Sequence, residues 1–281
     1  MSNKTTGQRL LVYGLAALAV TITCPLSAAQ EKVARITEYP VPAGSHPHDV
    51  APAPDGGLNA IVRVDPATEK VSVYPLPSGR EGANLNTATF GMGGVLWFTG
   101  QSGVYGRLDP KVGKVEVFDA PKGPGPYGIA AAPDGTVYYA SLAGSYIARL
   151  DPITGAAAVI EPPTPRQGAR RVWADSKGNV WVSEWNVGQL GRYEPSTNTW
   201  KEWKLPGKNP GAYAVYVDDL DKVWLSDFGA NALVRFDPVK EAFEVFPLPS
   251  SGANVRQLLG RPGEVWGAES GVDRLVVLRL P

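Results

Sequence analysis

Cysteine is nearly absent from this chain, with Cys24 the only one in 281 residues. That excludes a disulfide framework and any paired-cysteine zinc site, so the fold must be held by core burial. Histidine is almost as scarce: His46 and His48, in His46-Pro47-His48, are the only two, and any imidazole chemistry rests on them. Neither charge sign is in excess, with 27 basic and 27 acidic side chains. Without a basic stripe or a charge block, nucleic acid and anionic membranes are excluded as partners. Also missing are Gly-x-Ser-x-Gly, His-Glu-x-x-His and a phosphate-binding glycine loop.

The apolar run Leu10 to Thr23 has 14 residues, too few to span a bilayer. Lys4 and Arg9 precede it and Ser27-Ala28-Ala29 follows it, the order of a secretory signal cleaved at about Ala29. Residues 1–29 are therefore read as a signal peptide, and 30–281 as one domain, periplasmic or secreted and monomeric. Thr21-Ile22-Thr23 lacks the small residue that a lipidated Cys24 would need before it.

What is present is a repeat. Arg63-Val64-Asp65-Pro66, Arg107-Leu108-Asp109-Pro110, Arg149-Leu150-Asp151-Pro152, Arg192-Tyr193-Glu194-Pro195 and Arg235-Phe236-Asp237-Pro238 place their arginines 42 to 44 residues apart. A period of this length is a tandem array of one supersecondary unit. Within 207–249, Ala214-Val215-Tyr216-Val217, Val223-Trp224-Leu225-Ser226, Asn231 to Phe236 and Phe243-Glu244-Val245-Phe246 are four short runs separated by turn residues. Four strands per unit without a helix is the signature of an all-β propeller. Aromatic second strands recur as Leu96-Trp97-Phe98, Val137-Tyr138-Tyr139, Val180-Trp181-Val182 and Val265-Trp266, and are read as packing between blades. The Arg-x-Asp-Pro signature is read as structural, with Asp-Pro initiating a turn.

Six units follow: 43–77, 78–121, 122–163, 164–206, 207–249, and 250–281 completed by 36–42. The last copy stops after its third strand, whereas Ile36-Thr37-Glu38-Tyr39-Pro40-Val41-Pro42 is an outer strand with nothing before it. The N-terminal strand is expected to close the last blade and so remove two sheet edges. The first unit is short: only 8 steps separate Asp55 from Arg63, against 15 from Asp134 to Arg149. Its third strand is intact and its aromatic second strand is missing.

Function is sought where the copies differ. Aligned on the second-strand aromatics, His48, Asn86, Tyr127, Arg170, Tyr213 and Arg256 occupy one position at the start of the innermost strand. Gly100, Ser141, Glu184, Asp227 and Glu269 occupy the position just past the second strand. Antiparallel strands put both rings at one mouth of the ring of blades. Glu184, Asp227 and Glu269 are oxygen ligands suited to Mg²⁺ or Ca²⁺, and a neutral imidazole nearby is a general base. The alternative is that Arg170 and Arg256 pair with these carboxylates in a solvated network.

Pro126-Tyr127-Gly128-Ile129, Pro133-Asp134-Gly135, Leu96-Trp97-Phe98-Thr99, Gly191-Arg192 and Phe246-Pro247-Leu248-Pro249 resemble the repeats of the streptogramin B lyase (virginiamycin B lyase) family, over essentially all of 36–281. The resemblance implies a shortened relative of a seven-bladed ring, with about 50 residues fewer between Asp55 and Leu58. It implies a carbon–oxygen lyase that opens a cyclic depsipeptide or lactone ester by elimination, with Mg²⁺ and a histidine base. His48 then matches the base and Glu269 a metal ligand, with Glu184 and Asp227 as further ligands. His46, Asn86, Tyr127, Arg170, Tyr213 and Arg256 would contact the substrate. The family's first metal ligand has no counterpart, because His46 stands where that motif has glutamate. Two other readings share the scaffold: a metal-dependent lactonase-like hydrolase, and a propeller that holds a ligand without turning it over.

Overall fold

A computed structural model describes residues 34–40, 60–65 and 67–280. The chain is an all-β propeller of six blades. Five blades are four-stranded antiparallel sheets, and the first contributes two described strands, Ala60–Val64 and Val71–Pro75. Blade four shows the pattern, with strands Ala169–Ala174, Val180–Glu184, Gln189–Glu194 and Thr199–Lys204 pairing in sequence order. Its second strand is buried at every residue, because both faces of a blade are covered by neighbours. Its fourth strand alternates, because one face meets solvent.

The ring closes as the ends of the repeat require. In blade six, Val255–Arg261, Glu264–Glu269 and Arg274–Arg279 are joined by Arg35–Pro40, which pairs antiparallel from Arg35 opposite Arg279 to Pro40 opposite Arg274. In the first blade the outer two strands form as read. The stretch where its inner strands were in question, together with residues 1–29, His46 and His48, lies outside the described residues.

The core is a series of layers between blades. Tyr138, Ala140 and Ile147 of blade three meet Val172, Val180 and Val182 of blade four, and Trp181 and Leu190 of blade four meet Val215, Leu225 and Phe236 of blade five. Each large apolar side chain so buried contributes roughly 1.5–3 kcal/mol. The second-strand tryptophans do bridge blades, Trp181 packing edge-on against Phe236 with ring centres 5.9 Å apart.

The repeat arginine has a packing role beyond the turn. The Arg107 guanidinium lies 5.5 Å from the Trp97 ring centre and 5.7 Å from Phe118, and Arg192 lies 5.7 Å from Trp181 and 5.8 Å from Trp203. It thus spans second-, third- and fourth-strand side chains of one blade through cation–π contact. The aspartate makes the turn: Asp151 Oδ1 accepts from the backbone N–H of Ile153 at 2.8 Å and of Thr154 at 2.7 Å. Indole N–H groups are satisfied from the turn between first and second strands, where Asp175 and Asp218 accept from Trp181 and Trp224 at 2.9 and 2.8 Å.

Candidate functional site

A β-bulge interrupts every described innermost strand at the same place. The irregularities fall between Leu85 and Ala88, Pro126 and Ile129, Ala169 and Arg171, Ala212 and Val215, and Val255 and Leu258. Asn86, Tyr127, Arg170, Tyr213 and Arg256 lie inside these five bulges. A bulge re-aims a side chain out of the sheet's regular alternation, so the polar position read from the repeat is a built feature. Second-strand hydroxyls secure it. Ser183 Oγ accepts from the Arg171 N–H at 3.1 Å and donates to the Tyr213 carbonyl of the next blade at 2.6 Å. The Thr99 hydroxyl donates likewise to the Tyr127 carbonyl.

Three of the aimed side chains, Tyr127, Arg170 and Tyr213, meet at the floor of the mouth where the innermost strands begin. The hydroxyls of Tyr127 in blade three and Tyr213 in blade five are 2.6 Å apart, bridging past blade four. Arg170 lies over them, its guanidinium carbon 3.6 Å from the Tyr213 ring centre, 4.8 Å from Tyr127 and 4.7 Å from Trp185, with Nη2 donating to the Tyr127 hydroxyl at 3.3 Å. Arg171 reaches across to blade two, where Nη1 donates to Thr87 Oγ1 at 2.9 Å, and Thr87 donates to Asn86 at 2.7 Å. Burial pushes the Tyr127 phenol up, but the hydrogen bond from Tyr213 and the positive charges of Arg170 and Arg171 outweigh it, leaving it below the ordinary value. Tyr213 is raised, chiefly by burial. The two phenols are thus shifted in opposite directions, Tyr127 down and Tyr213 up.

Phe228 stacks on Tyr213 with ring centres 4.7 Å apart, and Trp185 meets Tyr213 and Phe228 edge-on at 5.6 and 5.4 Å. Sequence reasoning missed both of these aromatics, as it missed Arg171 and Thr87. A signal existed: Trp185 and Phe228 each follow a ring carboxylate, where the other units carry Gln101, Leu142 and Ser270.

The carboxylates at the ends of the second strands take different partners. Glu184 and Glu269 are fully buried, with no donor bonded to either oxygen. Glu184 lies over the third strand, so close that a Cβ at Gly191 would sit 2.7 Å from its Oε1. It faces the outer-strand carboxyl of Glu202, and burial, then Glu202, pushes its pKa up to about 9. Glu269 faces Glu38 of the closing strand in the same way, with burial first and Glu38 second raising it to about 7. The outer partners are anchored alike. Glu202 accepts from the Thr164 N–H at 3.2 Å and hydroxyl at 2.6 Å, and Glu38 from the Ser250 N–H at 2.7 Å and hydroxyl at 2.6 Å. Asp227 Oδ1 accepts from the N–H groups of Gly211, Gly229 and Ala230 at 2.8, 2.8 and 3.2 Å, tying two loops at the mouth.

These carboxyls therefore turn outward along their blades or into backbone, away from the axis. Among the described residues no three acidic or imidazole side chains come together, so the expected convergence of Glu184, Asp227 and Glu269 on a hard cation is not found there. Nor do these groups neutralise the arginines. Among the described residues Arg170 and Arg256 form no ion pair, and the buried Nε of each has no acceptor.

No protein-family model matches the chain, and no curated protein matches it by sequence. Solved structures do. A catalytically inactive variant of virginiamycin B lyase from Staphylococcus aureus, crystallised with quinupristin, superposes with a TM-score of 0.70 at 19% identity, over 89% of this chain and 100% of that one. A streptogramin B lyase gives 0.55 at 18% identity, over 88% and 98%. An extracellular domain from B. thetaiotaomicron gives 0.61 at 16% identity, over 79% of this chain and 30% of that one. The chain thus has the fold of the streptogramin B lyases, the family that its repeat residues resemble.

Proposed function

We propose that this chain is an exported propeller that holds a small organic ligand in its funnel. The floor carries the reading: five bulges aim polar side chains inward, and Tyr127, Tyr213 and Arg170 form a preorganised cluster walled by Trp185 and Phe228. Stability alone does not require a bulge at one position in successive blades. Concave sites with aromatic walls and a few fixed polar groups are the usual form of a small-molecule site. Export is supported by the signal-like N-terminus and by likeness to an extracellular domain. Among the described residues no helix is long and apolar enough to cross a membrane.

A second reading, a carbon–oxygen lyase on a cyclic depsipeptide or lactone ester, is favoured by the whole-length likeness to virginiamycin B lyase. In it a base removes the proton beside the ester-bearing carbon, the C–O bond breaks and a carboxylate leaves. His48, matched by position, is the base. The acidified Tyr127 is the group within the described floor able to hold or pass a proton. No step is assigned to Mg²⁺, because no three acidic or imidazole side chains come together among the described residues.

Incubation with quinupristin followed by mass spectrometry separates the readings. Saturable binding with the ligand recovered intact supports the binding propeller, an opened ring of unchanged mass the lyase, and an added water the lactonase-like hydrolase. In the two turnover cases, His48→Ala should abolish reaction with the fold intact. No binding and no product would remove this ligand class from both readings.

A further inference from the structure

We infer that the ligand of the funnel carries a carboxylate on an apolar or aromatic body, with Arg170 as its anchor. The inference rests on the funnel being a ligand site and adds the chemistry of what enters.

Arg170 is held in place by the Tyr213, Trp185 and Tyr127 rings, with its guanidinium carbon 3.6, 4.7 and 4.8 Å from their centres. A guanidinium stays protonated throughout the physiological range, so burial cannot neutralise it as it neutralises Glu184. Its one described hydrogen bond goes to the Tyr127 hydroxyl, and its Nε is buried without an acceptor. Arg256, at the matching bulge of blade six, has the same orphaned Nε.

The carboxylates in nearby sequence turn elsewhere. Glu184 ends the second strand of the same blade but turns toward Glu202, with burial and then Glu202 raising its pKa. Asp227 is held by three backbone N–H groups, and Glu269 faces Glu38. Arg170 therefore supplies fixed positive charge and donors with no ion pair among the described residues, and a planar fork of this kind selects carboxylate. Trp185 and Phe228, edge-on at 5.4 Å beside Arg170, supply a surface for an aromatic group next to that carboxylate.

The test is calorimetric titration of the whole protein with N-acetylphenylalanine and with its methyl ester, a pair that differs in charge. The acid should bind, the ester should bind at least about tenfold more weakly, and Arg170→Gln should weaken the acid by a similar factor. Arg256→Gln should weaken it less. Arg235→Gln, on the outer face of blade five, should leave binding unchanged. Because Arg170→Gln could disturb the floor, salt dependence on wild type provides a second readout: acid binding should fall as ionic strength rises, while ester binding should not. Equal affinity for acid and ester, or salt-independent acid binding, would overturn the carboxylate while leaving a neutral-ligand funnel intact. Binding of neither probe by wild type would also overturn it, and the quinupristin titration then decides whether the funnel reading falls with it.

Discussion

Replacing Glu269 by glutamine should stabilise this protein above neutral pH and change little below pH 5. In the folded chain Glu269 is buried against Glu38 and its pKa is raised to about 7 from the ordinary 4.5, by burial first and by Glu38 second. Between these values the folded state binds more protons than the unfolded state, so stability falls as pH rises through the window. A displacement of this size corresponds to about 3 kcal/mol, lost by pH 8. The loss falls on ring closure, because Glu38 belongs to the closing strand and also holds Ser250 and Arg274 Nη1, the latter at 3.0 Å. Glutamine keeps the shape and never carries the buried charge that the acid takes on as it ionises beside Glu38. Urea unfolding of wild type and Glu269→Gln at several pH values from 5 to 8, read as a difference, cancels the parallel contribution of Glu184. The variant should gain about 3 kcal/mol across that range, or a melting shift on the order of 10 °C. A variant less stable than wild type at pH 8, or a difference that does not vary with pH, would refute the reasoning.

Glu184→Gln should behave similarly with its window extended to about pH 9, where its folded pKa lies; a gain complete by pH 6 would contradict the pairing with Glu202. Trp181→Ala should cost about 3–5 kcal/mol in denaturant unfolding, since it removes a buried ring packed on Trp203 and Phe236. Ser183→Ala deletes the hydroxyl joining the blade-four bulge to the Tyr213 carbonyl, and should cost about 1–2 kcal/mol and weaken ligand binding in the funnel. Gly106→Ala should destabilise by about 1–3 kcal/mol on the same assay, because its Cβ would meet Phe98 at 2.3 Å and the Glu116 carbonyl at 2.5 Å.

The period of the repeat arginines was enough to number the blades and to send Arg35–Pro40 into the last one, because strand count and ring closure follow from periodicity and turn residues. The ring of Asn86, Tyr127, Arg170, Tyr213 and Arg256 was legible for the same reason: a fixed place in the repeat became a fixed place in the fold, marked by bulges. The carboxylate ring was not. Register locates Glu184 at a strand end but leaves its side chain free to point inward or along the blade, and burial against Glu202 decides. Glu202 sits in Trp200-Lys201-Glu202-Trp203, whose alternation reads as an ordinary outer strand. Trp185 and Phe228 share one place in the repeat, just past Glu184 and Asp227, but only two of the units carry an aromatic there.

The most direct measurement of the central claim is an anomalous-difference and electron-density map from a crystal grown with N-acetylphenylalanine and Mn²⁺. The account predicts the carboxylate against the Arg170 guanidinium, the ring on the surface formed by Trp185 and Phe228, and no Mn²⁺ at Glu184, Asp227 or Glu269. A Mn²⁺ peak at coordination distance from Glu269 or Glu184, with the funnel floor empty of the acid, would contradict it.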